Sequence, residues 1–133
     1  MSTIHPSPFL RKSLLLDVAA TGATAVLLIA AAGLLDGLLG LPVALMREAG
    51  LILLPFVAFV VWVGTREVVA RGAVWTIIAA NALWVAASIG LLVGGWVAPT
   101  ALGYAFVIAQ AAVVALFAEL QYAGLKRPQP IAA

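Results

Sequence analysis

Residues 72–118 read GAVWTIIAANALWVAASIGLLVGGWVAPTALGYAFVIAQAAVVALFA, with no Asp, Glu, Lys or Arg from one end to the other. A bilayer core of roughly 30 Å takes about 20 residues of helix to cross. The stretch is long enough for two crossings, with the turn at Gly94-Gly95-Trp96-Val97-Ala98 and a first-turn proline at Pro99. Each crossing must be helical, because in hydrocarbon the backbone has to satisfy its own hydrogen bonds. A barrel strand would alternate apolar and polar residues, and these runs do not.

Working outward from this stretch, two more runs fit. Ser13 to Leu35 is broken only by Asp17 near its start. The run between Glu48 and Arg66 is short, but Pro42 is a natural first-turn residue, and a helix begun there is long enough to span. That choice puts Arg47 and Glu48 in its first two turns. The fold class expected is an all-α integral membrane protein with helices at about 13–35, 42–65, 72–95 and 99–122. They form two tandem hairpins between an N-terminal tail, 1–12, and a C-terminal tail, 125–133. The segments Ser2 to Pro8 and Pro128 to Pro130 read as short disordered ends.

Composition agrees: 65% of the chain is hydrophobic and 9% charged, which excludes an ordinary water-soluble domain. There is no cysteine, hence no disulfide framework and no thiolate metal site. His5 is the single histidine and lies in the N-terminal tail, so a histidine-based metal site or a bis-histidine haem within one chain is excluded. No metal and no cofactor are expected. The basic residues come in pairs along the chain rather than on one face, which argues against a nucleic-acid partner.

Those pairs are better read as topology signals. Arg11 and Lys12, Arg66 and Arg71, and Lys126 and Arg127 all fall on one side of the membrane, against Arg47 alone in the connections of the other. Short cytoplasmic loops carry the excess of Lys and Arg, so both termini are expected in the cytoplasm of a bacterial-type inner membrane.

A shift of 57 positions superposes Gly33-Leu34-Leu35, Gly37, Pro42 and Ala44-Leu45 on Gly90-Leu91-Leu92, Gly94, Pro99 and Ala101-Leu102. An internal duplication would make the two hairpins parallel repeats. Small residues recur every fourth position at Ala82, Ala86, Gly90 and Gly94, and in a shorter version at Gly33 and Gly37. Such spacing lets helix backbones approach closely, and packing against Ala101, Ala105 and Ala109 of the fourth helix is the expected use.

Intramembrane polar residues are where function would sit, because they are costly there without partners. Asn81 and Gln110 are the deepest and are expected to share a depth and bond across the second hairpin, joined by Ser88 on the face of Asn81. Asp17 and Glu119 share the inner leaflet and form a second candidate pair. Arg47 and Glu48 are candidates for an outer-leaflet contact. No nucleophilic triad or dinucleotide fingerprint is present.

Three function classes follow. The leading one is an accessory or structural subunit that self-associates or packs in a larger membrane complex, with membrane lipids, copies of itself or complex subunits as its partners. The second is a minimal oligomeric transporter or channel for a small solute or ion. The third is a lipid- or quinone-linked membrane enzyme with the two carboxylates as acid and base, although nothing in the chain calls for catalysis.

Overall fold

The computed structural model describes residues 2–127. Its long helices are α1 (Pro8–Ala30), α3 (Val43–Thr65), α4 (Arg71–Val93) and α5 (Ala101–Lys126), with a short α2 (Ala32–Leu39) between the first two. All four are long and apolar enough to cross a membrane. Two residues of strand, β1 (Thr3–Ile4) and β2 (Val69–Ala70), pair antiparallel.

The N-terminal segment is therefore not a disordered tail. Thr3 pairs with Ala70 and Ile4 with Val69, in the α3–α4 connection, and the Arg71 amide donates to the Ser2 carbonyl at 3.0 Å. Helix α1 starts at Pro8 rather than near residue 13, because Ser7 caps it: its Oγ accepts from the Leu10 amide at 3.2 Å, and Pro8 takes the first turn. Arg11 then lies inside the helix. Its guanidinium donates to the carbonyl oxygens of Gly64 at 2.6 Å and Arg66 at 3.0 Å, at the end of α3 where carbonyls lack helical partners. Arg71 does the same for α5 through the Leu125 carbonyl, at 3.4 Å. The expected first helix, 13–35, is divided at Ala31, and no residue there marks the break. The C-terminal Pro128 to Pro130 stretch lies outside the described residues.

Helix α1 packs on α3, α4 on α5, and α1 on α5, whereas α3 and α4 scarcely touch. Lipid gives helices no hydrophobic reason to associate, so close approach of backbones has to hold the bundle. A Cβ on Gly50 would stand 2.7 Å from Ile29 Cγ1 and 2.9 Å from the Ala25 carbonyl oxygen, and one on Gly124 would stand 3.0 Å from Phe9 Cδ1. At the far end, Gly40 adopts φ 68°, and Thr100 ties the two connections together. Its Oγ1 donates to the Leu38 carbonyl at 2.6 Å and its amide to the Leu39 carbonyl at 3.0 Å. Gly103 of α5 lies directly against that same Leu39 carbonyl.

The glycines singled out by spacing lie elsewhere. A Cβ on Gly33, Gly37 or Gly90 would meet nothing within 4 Å, and one on Gly94 would meet only its own turn, at Gly90 and Trp96. Ala82 and Ala86 face outward, as do Ala101, Ala105 and Ala109. Helix α4 turns Val74, Ile77, Asn81 and Ser88 inward instead. Satisfying buried polar groups decides the rotation of α4, and its small-residue line is left on the outer surface.

Buried side chains form two apolar clusters, one around Leu10, Leu14, Val60, Val63 and Ile77 and the other around Ala25, Leu28, Met46, Leu53 and Val107. A polar layer separates them.

Candidate functional site

That layer is built around Asp17. Thr21, one turn further along α1, donates to Asp17 Oδ1 at 2.7 Å. Asp17 Oδ2 accepts from Asn81 Nδ2 of α4 at 2.9 Å and from Gln121 Nε2 of α5 at 2.7 Å. Asn81 Nδ2 also donates to Gln121 Oε1 at 3.0 Å, closing a triangle across three helices. Asp17 and Gln121 have no exposure and Asn81 has 3%. Among the described residues no cation pairs with Asp17; Arg11, a natural candidate by sequence, is committed to the end of α3. Three donors stabilise the carboxyl group in place of a counter-charge.

Asn81 does not bond Gln110. Gln110 Oε1 accepts from the Trp84 indole N–H at 2.9 Å, and its Nε2 donates to Ser88 Oγ at 2.9 Å. Ser88 donates in turn to the Trp84 carbonyl at 2.8 Å, so these three residues form a closed ring. The expected pairing assumed a tight turn centred near Gly95 and Trp96. The connection runs from 94 to 100, which moves the residue of α5 level with Asn81 from 110 to about 113 and brings Gln110 to Trp84 and Ser88 instead. Glu119 is exposed on α5 and is not joined to Asp17. Arg47 and Glu48 are both exposed at the start of α3, and Glu48 borders the outer part of the cleft described next.

Thr21, Trp84 and Gln121 were not among the candidates read from sequence. Signals for two of them existed: Thr21 follows Asp17 at helical i,i+4 spacing, and Gln121 follows Gln110 by 11 residues, about three turns, on one face of α5.

Because α3 and α4 scarcely touch, a cleft of about 620 Å³ opens between them. Residues of α1 and α5 such as Ala20, Thr24, Gln110 and Val114 make its floor, with Phe56 and Trp84 on the two walls. Its lips are Ile52 and Leu83, 64% and 71% exposed, so the mouth faces sideways, where acyl chains would lie. A second cavity of about 270 Å³ shares Thr24, Ile52, Trp84, Ala87, Phe106 and Gln110 with the first and carries it on toward Met46 and Glu48. The walls are apolar apart from a few polar groups, which is the usual make-up of a small-molecule site of this size.

Asn81 belongs to both the triangle and the cleft lining. Its nitrogen makes two hydrogen bonds, yet among the described residues nothing donates to its Oδ1. Every fully enclosed side-chain nitrogen or oxygen among them has a partner, so this oxygen is not enclosed. Asn81 itself is one of the residues lining the cleft. No three His, Cys, Asp or Glu side chains come together among the described residues, and no metal site can be drawn.

Fold and site define an all-helical membrane protein with a laterally open apolar cleft floored by a hydrogen-bonded polar layer. The chain matches no protein-family model, no curated protein and no solved structure.

Proposed function

We propose that this is an inner-membrane protein that binds a lipophilic small molecule, drawn from the bilayer, in the cleft between α3 and α4. The cleft itself carries this reading: its volume suits a small molecule, its mouth opens sideways between Ile52 and Leu83, and its lining is apolar with polar groups at one level. Both termini are proposed to face the cytoplasm. Support comes from Arg11, Arg66, Arg71, Lys126 and Arg127 gathered at one end of the bundle, with Trp62, Trp75 and Tyr122 beside them. The check on orientation is labelling by an impermeant thiol reagent at Ser2→Cys.

A path for a solute or ion through the bundle has less support, since the triangle at Asp17 and the ring at Gln110 spend their polar groups on each other. Acid–base catalysis by paired carboxylates has less still, with Glu119 on the outer surface. An accessory role in a homo-oligomer or larger complex is favoured by one observation: Ala82, Ala86 and Gly90 form an outward line, and among the described residues nothing stands against Gly90.

Native mass spectrometry of the protein, gently extracted from its own membrane, tests both readings. The expected spectrum shows a retained lipophile whose occupancy falls at least severalfold in Ala87→Phe, where a ring fills the cleft. Bare chains in wild type and variant alike would sink the binding proposal. A mass that includes further subunits would support the accessory role, and a strict monomer would remove it.

A further inference from the structure

Asn81 Oδ1 is an unpartnered acceptor, not fully enclosed, on a side chain 3% exposed that lines a largely apolar cleft. Asn81 lies at the middle of α4, and hence near the bilayer midplane, where water is not at hand to satisfy that oxygen. Its two N–H bonds go to oxygen acceptors, one of them the Asp17 carboxyl, and donation of this kind polarises a carboxamide so that its own oxygen accepts more strongly. The other polar groups near the cleft are spent: Gln110 is bonded through both ends of its amide, and the Trp84 N–H is held by Gln110. Thr21 and Thr24, which also line the cleft, spend their hydroxyl protons on Asp17 and on the Ala20 carbonyl, so the cleft presents acceptors with no free donor of comparable burial, and Asn81 Oδ1, beside the Asp17 carboxyl group, belongs to the most buried of these side chains.

We infer that the molecule bound in the cleft is a neutral lipophile that donates a hydrogen bond, through a hydroxyl or N–H group, to Asn81 Oδ1. The inference rests on the binding proposal above and adds the chemistry of the head group. Such a group is unsatisfied in hydrocarbon and gains its partner only at this depth. Acceptor-only heads such as ethers and esters find nothing to bond, and anionic heads meet an acceptor oxygen backed by a carboxyl group. The aliphatic remainder lies along Phe56, Ala87 and Phe106 toward the outer cavity.

The test uses the full-length protein in phosphatidylcholine nanodiscs and two photoactivatable probes, a diazirine-bearing dodecanol and its methyl ether, with adducts located by peptide mass spectrometry. One hydrogen bond corresponds to roughly a five- to tenfold preference. The alcohol is expected to label cleft residues such as Ile52, Leu83 and Ala87 by about that factor over the ether. Asn81→Leu is expected to bring the two probes level. Equal labelling of the cleft by both probes in the wild-type protein would overturn the donor assignment and leave the cleft a lipophile site. Labelling of the cleft by neither probe above the level at lipid-facing Leu34 would overturn the binding proposal itself. The wild-type comparison is decisive even where Asn81→Leu does not fold. A role for Asn81 confined to holding Asp17 would not produce the alcohol-to-ether ratio.

Discussion

Gly103→Ala is expected to lose about 3 kcal/mol of stability, at the upper end of what overpacking costs, because there is no room for even one methyl group. The position faces the Leu39 carbonyl at the end of α2, and the added Cβ would overlap that oxygen and crowd Pro99. The obstacle is backbone, so no side chain can rotate aside. Moving α5 away would break the bond from the Thr100 amide to Leu39, and with it the tie between the two connections at that end of the bundle. Gly33→Ala is the control, since nothing lies within 4 Å of its added Cβ. It should be neutral, or stabilising by up to about 1 kcal/mol through helix propensity. Unfolding in mixed micelles, followed by circular dichroism against the mole fraction of dodecyl sulfate, reads both. Equal midpoints for the two variants would mean that α2 and α5 do not approach as described.

Asp17→Ala is expected to destabilise the protein by about 2–4 kcal/mol, since Thr21, Asn81 and Gln121 each lose an acceptor and intramembrane hydrogen bonds contribute about 0.6 and at most about 1.7 kcal/mol apiece. Asp17→Asn should stay within about 1 kcal/mol of wild type. Its carboxamide oxygen can take the two donors now on Oδ2, and its N–H can turn to the Thr21 hydroxyl. The same unfolding titration separates the two variants. If both were equally damaging, loss of an acceptor would not explain the effect, and the account of the layer as a set of hydrogen bonds to Asp17 would be wrong.

Part of this was legible in the chain. The charge-free stretch 72–118 and the paired basic residues mark the spans, because bilayer thickness and the cost of burying charge act on composition directly. Asp17, Asn81, Ser88 and Gln110 stand out as candidates for the same reason. Their partners do not stand out. Antiparallel register depends on how many residues the 94–100 connection uses, and depth alone does not show which side chains of neighbouring helices come within reach, so Asn81 was expected opposite Gln110 when its partners are Asp17 and Gln121. The small-residue spacing at Ala82, Ala86 and Gly90 was real but ambiguous, since spacing defines a face without saying what it meets. The glycines that admit close packing, Gly50, Gly103 and Gly124, have no such spacing and show their role only against Ile29, Leu39 and Phe9. Two residues of strand are too few for any periodic signal, so pairing of β1 with β2 was invisible. The cleft was invisible as well, because it arises from the gap between α3 and α4 and not from any residue.

Access of lipophiles to that gap is the central claim, and Trp84 on the cleft wall can report it. With Trp62→Phe, Trp75→Phe and Trp96→Phe, Trp84 becomes the sole tryptophan, and its emission can be read in vesicles of phosphatidylcholine brominated near the chain ends. The account predicts strong quenching that Ala87→Phe largely relieves by filling the cleft. Quenching that is absent, or the same with and without Ala87→Phe, would contradict it.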